Sequence, residues 1–247
     1  MGQKCGFWAE ASSFHPLNDA FLGAGILVPD DLLMLVGMNA LDHEGLFEKA
    51  WNDPRYTRYE IPPLDVNRVL EERYRTREPF HLTRTMVWDM ETKKARHPER
   101  YIPYVVGEGS ADAWDDRPAP DGSPTFVRKS MQRLWQQPES YELILEQTRL
   151  NHVTQTVTFI GATSYPDRNG QLLHAGTSQP IFHVVHGVDG EEDRPRNLWR
   201  IVHLTETRDP KWVAPFEELA RSPWLPGYLE IYIRNDLGIE LTRRDIL

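Results

Sequence analysis

The stretch QPIFHVVHGVDGEEDRPRNLWRIVHLTE, residues 179–206, decides how the chain is read, because two apolar runs carrying His183, His186 and His203 flank an acidic, proline-containing loop. Runs rich in β-branched and aromatic residues read as strands. Side chains alternate along a strand, so a one-residue shift of pairing moves every side chain to the other face. The register of the two runs therefore determines which histidines act together.

Upstream, Asn169-Gly170 is a strong short-range hairpin signal. A two-residue turn there pairs Arg168 with Gln171, which sets Val157 opposite Phe182 and Thr156 opposite His183. Val157, Phe159, Phe182 and Val184 then share a face. Downstream, the loop from Asp189 to Arg196 leaves the register open, and the hydrophobic pattern chooses it. Pairing His183 with His203 places Leu198, Val202 and Leu204 beside Phe182 and Val184, a wholly apolar face that also takes His186 near its end. The opposite face then carries Thr154, Thr156, Thr158, His183, Val185, Trp199, Ile201 and His203. A one-residue slip would bring Trp199, Ile201 and His203 beside Phe182 and leave Arg200 among the threonines, which the pattern disfavours.

Outward from this core, residues 80–90 (FHLTRTMVWDM) and 100–109 (RYIPYVVGEG) read as further strands, with Leu82, Met86, Trp88 and Met90 alternating with His81, Thr83, Thr85 and Asp89. Residues 28–52 and 62–78 read as amphipathic helices, the second with Asp65 as N-cap and Val66, Val69, Leu70 and Tyr74 as its apolar stripe. Residues 125–149 read as a helical region broken near Gln137 by Pro138. Residues 107–124 gather Gly, Pro, Ser and Asp into a long exposed loop, a lid or a connector. A short helix over 211–222 and a last strand over 227–236 complete the chain.

Helices early and a meander late predict an α+β fold, a curved antiparallel sheet packed against several helices, by analogy a cystatin-like or helix-grip-like cone. One domain is expected over 1–247, mainly helical over 1–78 and sheet over 79–247 with the helical insertion at 125–149. The balance of 28 basic against 37 acidic residues gives a net charge of −9, which disfavours nucleic acid and anionic membranes as partners. The single cysteine, Cys5, excludes an internal disulfide and a cysteine-rich zinc site, and with no apolar leader or spanning segment it points to the cytoplasm.

A solvated sheet face usually carries Lys, Glu and Arg, whereas a face mixing Thr and His with Trp199 and Ile201 has the apolar walls and few polar groups of a ligand pocket. The expected catalytic group is His183 with His203 for proton transfer, oriented by Asp89 or His81. Thr83, Thr85, Thr154, Thr156 and Trp199 are the expected substrate contacts. The reading is a cofactor-free enzyme of lyase, isomerase or cyclase type acting on a largely apolar, aromatic or polyketide-like small molecule. The alternatives are a non-catalytic carrier, a zinc- or iron-dependent hydrolase or oxygenase using the same histidines, and a homodimer formed through the mixed face. No phosphate-binding loop, dinucleotide fingerprint or serine nucleophile elbow is present.

Overall fold

The computed structural model describes residues 41–245. Its centre is a seven-stranded sheet of β1 (Thr57–Asp65), β3 (Asp112–Pro118), β4 (Pro124–Arg133), β5 (Tyr141–Asn151), β6 (Thr156–Gly161), β9 (Phe182–Glu191) and β10 (Arg194–His203). All pairs are antiparallel, in the order β1-β10-β9-β6-β5-β4-β3. The later strands form a meander, and β1 closes onto its last member. Between β1 and the meander lie α2 (Val66–Arg73), a short strand β2 (Tyr74–Thr76), α3 (Arg84–Arg96) and α4 (Pro98–Tyr101). The α+β fold predicted from the sequence, an antiparallel sheet packed against helices, is the fold observed.

The sheet is covered on both sides. Helix α1 (His43–Asn52) packs Phe47 and Ala50 against Ile160 and Val202 on the outer face. The small hairpin β7 (Ser164–Pro166) and β8 (Leu172–His174) covers Trp114, Val127 and Leu145 on that face. The inner face builds the main core with α3 and the C-terminal segment, which comprises a 3₁₀ turn (Pro210–Trp212), α5 (Ala214–Ala220), α6 (Gly227–Ile231) and a π turn (Tyr232–Asp236). A last strand, β11 (Leu241–Arg243), pairs with β2.

Register follows the turns. Glu191 pairs with Arg194 across the two-residue turn Glu192-Asp193, and every later pair follows, so that His183 faces Val202 and His203 faces Phe182. The expected His183–His203 pairing is therefore corrected by one residue. The turn is held in place because Glu192 O accepts from Arg84 N at 2.8 Å and Asp193 O accepts from Asn67 Nδ2 at 2.9 Å, which ties it to the start of α3 and to α2. An apolar face had no power to choose the register, because α1 buries the outer face as well. Arg200 sits comfortably on that outer face, 2.9 Å from Glu48 Oε1 and with its guanidinium 4.8 Å from the Phe47 ring centre.

The Asn169-Gly170 turn is also one residue longer than expected. Asp167 N donates to Gln171 O at 2.8 Å, and Gly170 takes a left-handed φ of 81°. This turn closes only the β7–β8 hairpin, so Val157 pairs with His186 rather than with Phe182. The shift is an even number of residues, and the faces of β6 and β9 stay as predicted.

Five segments differ from the sequence reading. Residues 84–96 form α3 rather than a strand: Thr83 Oγ1 caps Met86 N at 3.1 Å, and Val87, Glu91, Lys94 and Ala95 are buried along one side. Residues 125–149 form the β4–β5 hairpin rather than a helix, turning near Pro138 where Ser140 N donates to Gln137 O. The expected strand at 100–109 is α4 followed by turns, and the expected strand at 227–236 is α6 and the π turn. The expected loop at 107–124 contains edge strand β3, whose Trp114 is buried and whose bulge holds Asp115 at φ 58°.

Helix α2 keeps its Asp65 cap, which accepts from Arg68 N at 3.0 Å. The short helix expected over 211–222 is met by the 3₁₀ turn and α5. Of the helix expected over 28–52, residues 43–52 form α1 and the part up to 40 lies outside the described residues. Among the described residues, no helix is long and apolar enough to cross a membrane.

Candidate functional site

The two histidines expected to act together lie on opposite faces of the sheet. His183 joins the outer row Ile160–His183–Val202, and its Nδ1 accepts from Gly161 N at 3.1 Å. Burial lowers its pKa. It closes the end of β6.

His203 lies on the inner face and is 1% exposed. Its ring centre is 5.7 Å from Phe182, 5.6 Å from Trp212 and 5.8 Å from Phe216. Burial drives its pKa down to about 4, with a backbone contact to Thr57 pulling the other way, so the ring is neutral near pH 7. Its Nε2 has no hydrogen-bond partner among the described residues. Two buried donors share that condition, Trp135 Nε1 and Gln179 Nε2. Trp135 stands 4.7 Å from Phe216 by ring centres and donates its backbone N–H to Gln179 Oε1 at 3.3 Å. Buried polar atoms are normally paired, so three orphans, linked through Phe216 and the Trp135–Gln179 contact, mark this end of the sheet.

An open groove of about 420 Å³ runs along the same end, lined by Gln179, Thr205, Lys211 and Trp212 among others. On the other side of Gln179, a hollow of about 10 Å³ between Gly161, Gly176 and Phe182 has room for one water.

The remaining expected site residues are dispersed. Asp89 is on α3, where Lys93 Nζ donates to it at 2.7 Å and Tyr232 OH at 2.8 Å. His81 is exposed beside Glu71 at 3.4 Å. Thr83 is the α3 cap, and Thr85 N is taken by Glu192 Oε1 at 3.2 Å. Thr154 and Thr156 bond one another at 2.7 Å, with Thr156 on the outer face opposite Gly187. Only Trp199 joins His203, through Phe216, whose ring centre is 4.8 Å away. Proximity of Asp89 or His81 to the histidines rested on reading residues 80–90 as a strand, and α3 removes it.

The inner face also holds a polar cluster that the sequence reading missed. Glu91, fully buried, accepts from Asn197 Nδ2 at 2.8 Å, from Lys94 Nζ at 2.7 Å and faces His186 Nδ1 at 3.3 Å. Tyr228 OH donates to Asn197 Oδ1 at 2.7 Å, and the Lys94 ammonium sits 3.7 Å from the Tyr228 ring centre. Burial presses the Glu91 carboxyl upward, yet Lys94 and His186 overcome it and hold the pKa at about 2. Burial, with Lys94 nearby, lowers His186 to about 4. The bonds of this cluster close on one another, so it locks α3 and α6 to the sheet rather than presenting an open face. The i,i+3 spacing of Glu91 and Lys94 was the signal available, legible only once 84–96 is a helix.

No family model and no curated protein sequence matches the chain. Several solved structures align with the chain at low identity. The ZhuI aromatase/cyclase from Streptomyces sp. R1128 aligns at 8% identity and a TM-score of 0.42, over 74% of this chain and 88% of that one. The di-domain ARO/CYC StfQ from the steffimycin biosynthetic pathway aligns at 10% identity and a TM-score of 0.40, over 73% of this chain and 46% of that one. TTHA0849 from Thermus thermophilus aligns at 11% identity and a TM-score of 0.40, over 74% of this chain and 97% of that one.

Chemically, the end of the sheet offers two donors, the Trp135 indole and the Gln179 amide, and one neutral imidazole able to give or take a proton. Among the described residues, no cluster of three or more His, Cys, Asp or Glu side chains is placed to hold a metal. His183 and His203, the pair on which the zinc or iron alternative rested, lie on opposite faces of the sheet.

Proposed function

We propose that the chain is a small-molecule enzyme of lyase, isomerase or cyclase type, working where the inner face meets the groove, with His203 as the proton-transfer group. The supporting observation is the orphaned Nε2 of His203, buried among Trp212, Phe182 and Phe216 beside the orphaned Trp135 and Gln179 donors. A neutral imidazole removes a proton from carbon next to a carbonyl, and indole and amide donors stabilise the oxygen on which charge then develops. Ligand carriage is the second reading, favoured by His203 being the only titratable side chain among the three orphans.

Deuterium uptake by 1-phenyl-1,3-butanedione in D₂O, followed by proton NMR, separates the two. Catalysis requires the intact chain to accelerate uptake at the carbon between the carbonyls, and His203→Gln to lose roughly 10²–10⁴ of that rate with little change in affinity. Binding of the diketone without acceleration would instead leave carriage standing.

A further inference from the structure

We propose that Phe216 occupies a binding site for a neutral aromatic ring bearing a carbonyl or phenolic oxygen, and that α5 withdraws to admit that ring. The inference rests on the site proposed above and adds its ligand class and its gate. Phe216 is 1% exposed, with ring centres of Trp135, Trp199 and His203 at 4.7, 4.8 and 5.8 Å. This cage is the size of one six-membered ring. The phenyl group fills it but offers nothing to the two nine-tenths-buried side chains at its edge, Gln179 and His203, or to the indole N–H of Trp135. A ring carrying one acceptor oxygen fills the same volume and pairs with the Gln179 and Trp135 donors as well.

The charge of the ligand follows from the walls. The three rings of the cage carry no positive charge, His203 being neutral near pH 7, and Lys211 at the groove mouth is paired with Asp209 at 2.8 Å. A carboxylate entering the cage would lose its water without gaining a cation, so a neutral oxygen is preferred. The gate follows from α5. It has only seven residues, its N-cap is Val213 with no side-chain cap bond, and its Leu219 is exposed. The groove that passes Gln179 and Trp212 leads to its start. Such short, uncapped helices belong to the readily opened parts of a fold.

Acetophenone, toluene and benzoate serve as probes against the full chain, with tryptophan fluorescence for affinity and hydrogen exchange for α5. Acetophenone is expected to bind saturably and to speed exchange of the amides at 214–220 at least tenfold. Phe216→Ala should bind acetophenone at least tenfold more tightly than the intact chain, with Phe216→Leu between them. Any apolar cavity binds small arenes, so the polar reading requires toluene and benzoate to bind Phe216→Ala at least fivefold more weakly than acetophenone. Trp135→Phe should weaken acetophenone about fivefold and leave toluene unchanged, the loss of roughly one neutral hydrogen bond. Unchanged exchange at 214–220 in the intact chain overturns the gate whether or not the variants fold. Equal affinity for the three probes overturns the ligand class. Acetophenone binding without deuterium transfer to the diketone removes only the catalytic reading, whereas transfer without acetophenone binding removes only this one.

Discussion

His203 faces Phe182 across the β9–β10 pair, their ring centres 5.7 Å apart, while His183 faces Val202 on the other side of the sheet. The separation divides the roles of the two histidines. His183 accepts the Gly161 amide, so His183→Ala leaves that donor unpaired and should cost ~1–3 kcal/mol of stability. Acetophenone affinity should stay within twofold of the intact chain. Urea unfolding and fluorescence titration check the two halves of this statement.

His203 gives the pH dependence of stability a defined direction. Its folded pKa, about 4, lies below the usual 6.5, so the unfolded chain binds more protons between those values and stability falls as pH drops through that window. For a group this buried the contribution is roughly 2–3 kcal/mol. His203→Gln should therefore lose less stability than the intact chain between pH 7 and pH 4.5, as read from urea midpoints. His186 adds a loss of the same sign, and it is present in both proteins.

The Glu91 carboxylate, held at about 2 against an ordinary 4.5, adds stability that is present above pH 4.5 and lost as pH falls toward 2. Glu91→Gln strands the buried Lys94 ammonium and should cost about 3–5 kcal/mol. Glu91→Leu with Lys94→Met removes both charges and should recover much of that loss. A double-mutant cycle by thermal unfolding tests it, and a double variant no more stable than either single one would show that the ion pair is not what the singles disturb.

Edge strand β3 should show slow amide exchange only where it pairs with β4. Asp112, Ala113 and Trp114 pair with Lys129, Arg128 and Val127, and the bulge interrupts the ladder before Arg117. Protection is expected over 112–114 and fast exchange at Asp115 and Asp116. Uniformly fast exchange from 107 to 124 would restore the loop reading.

Much of the fold was legible because its signals were local or depended on parity alone. Asp65 caps α2 as its position before Val66, Val69 and Leu70 requires. The faces of β6 and β9 survive a wrong pairing because the error is an even number of residues. The β9–β10 register failed because it rests on Glu192-Asp193, which carries no glycine, and on contacts to Asn67 and Arg84 more than a hundred residues away. Helix α3 was hidden by its buried Glu91 and Lys94, which break the apolar stripe, and by a chance alternation from Leu82 to Met90. The β4–β5 hairpin read as helix because inward positions Arg128, Ser130, Gln132, Glu146 and Thr148 are polar and buried, so no apolar alternation marks the strands. Of the expected site, His203 and Trp199 are brought together. Gln179, Trp135 and Phe216 come from a loop, a strand end and a helix whose meeting no local pattern records.

Imidazole carbon–proton NMR of the full chain, recorded as 1-phenyl-1,3-butanedione is added, shows whether His203 rather than His183 meets the ligand. The expected result is saturable shifts in the ring signals of His203, whose pKa burial lowers to about 4, with the His183 signals unmoved. Shifts at His183, or saturating ligand with an undisturbed His203, would contradict it.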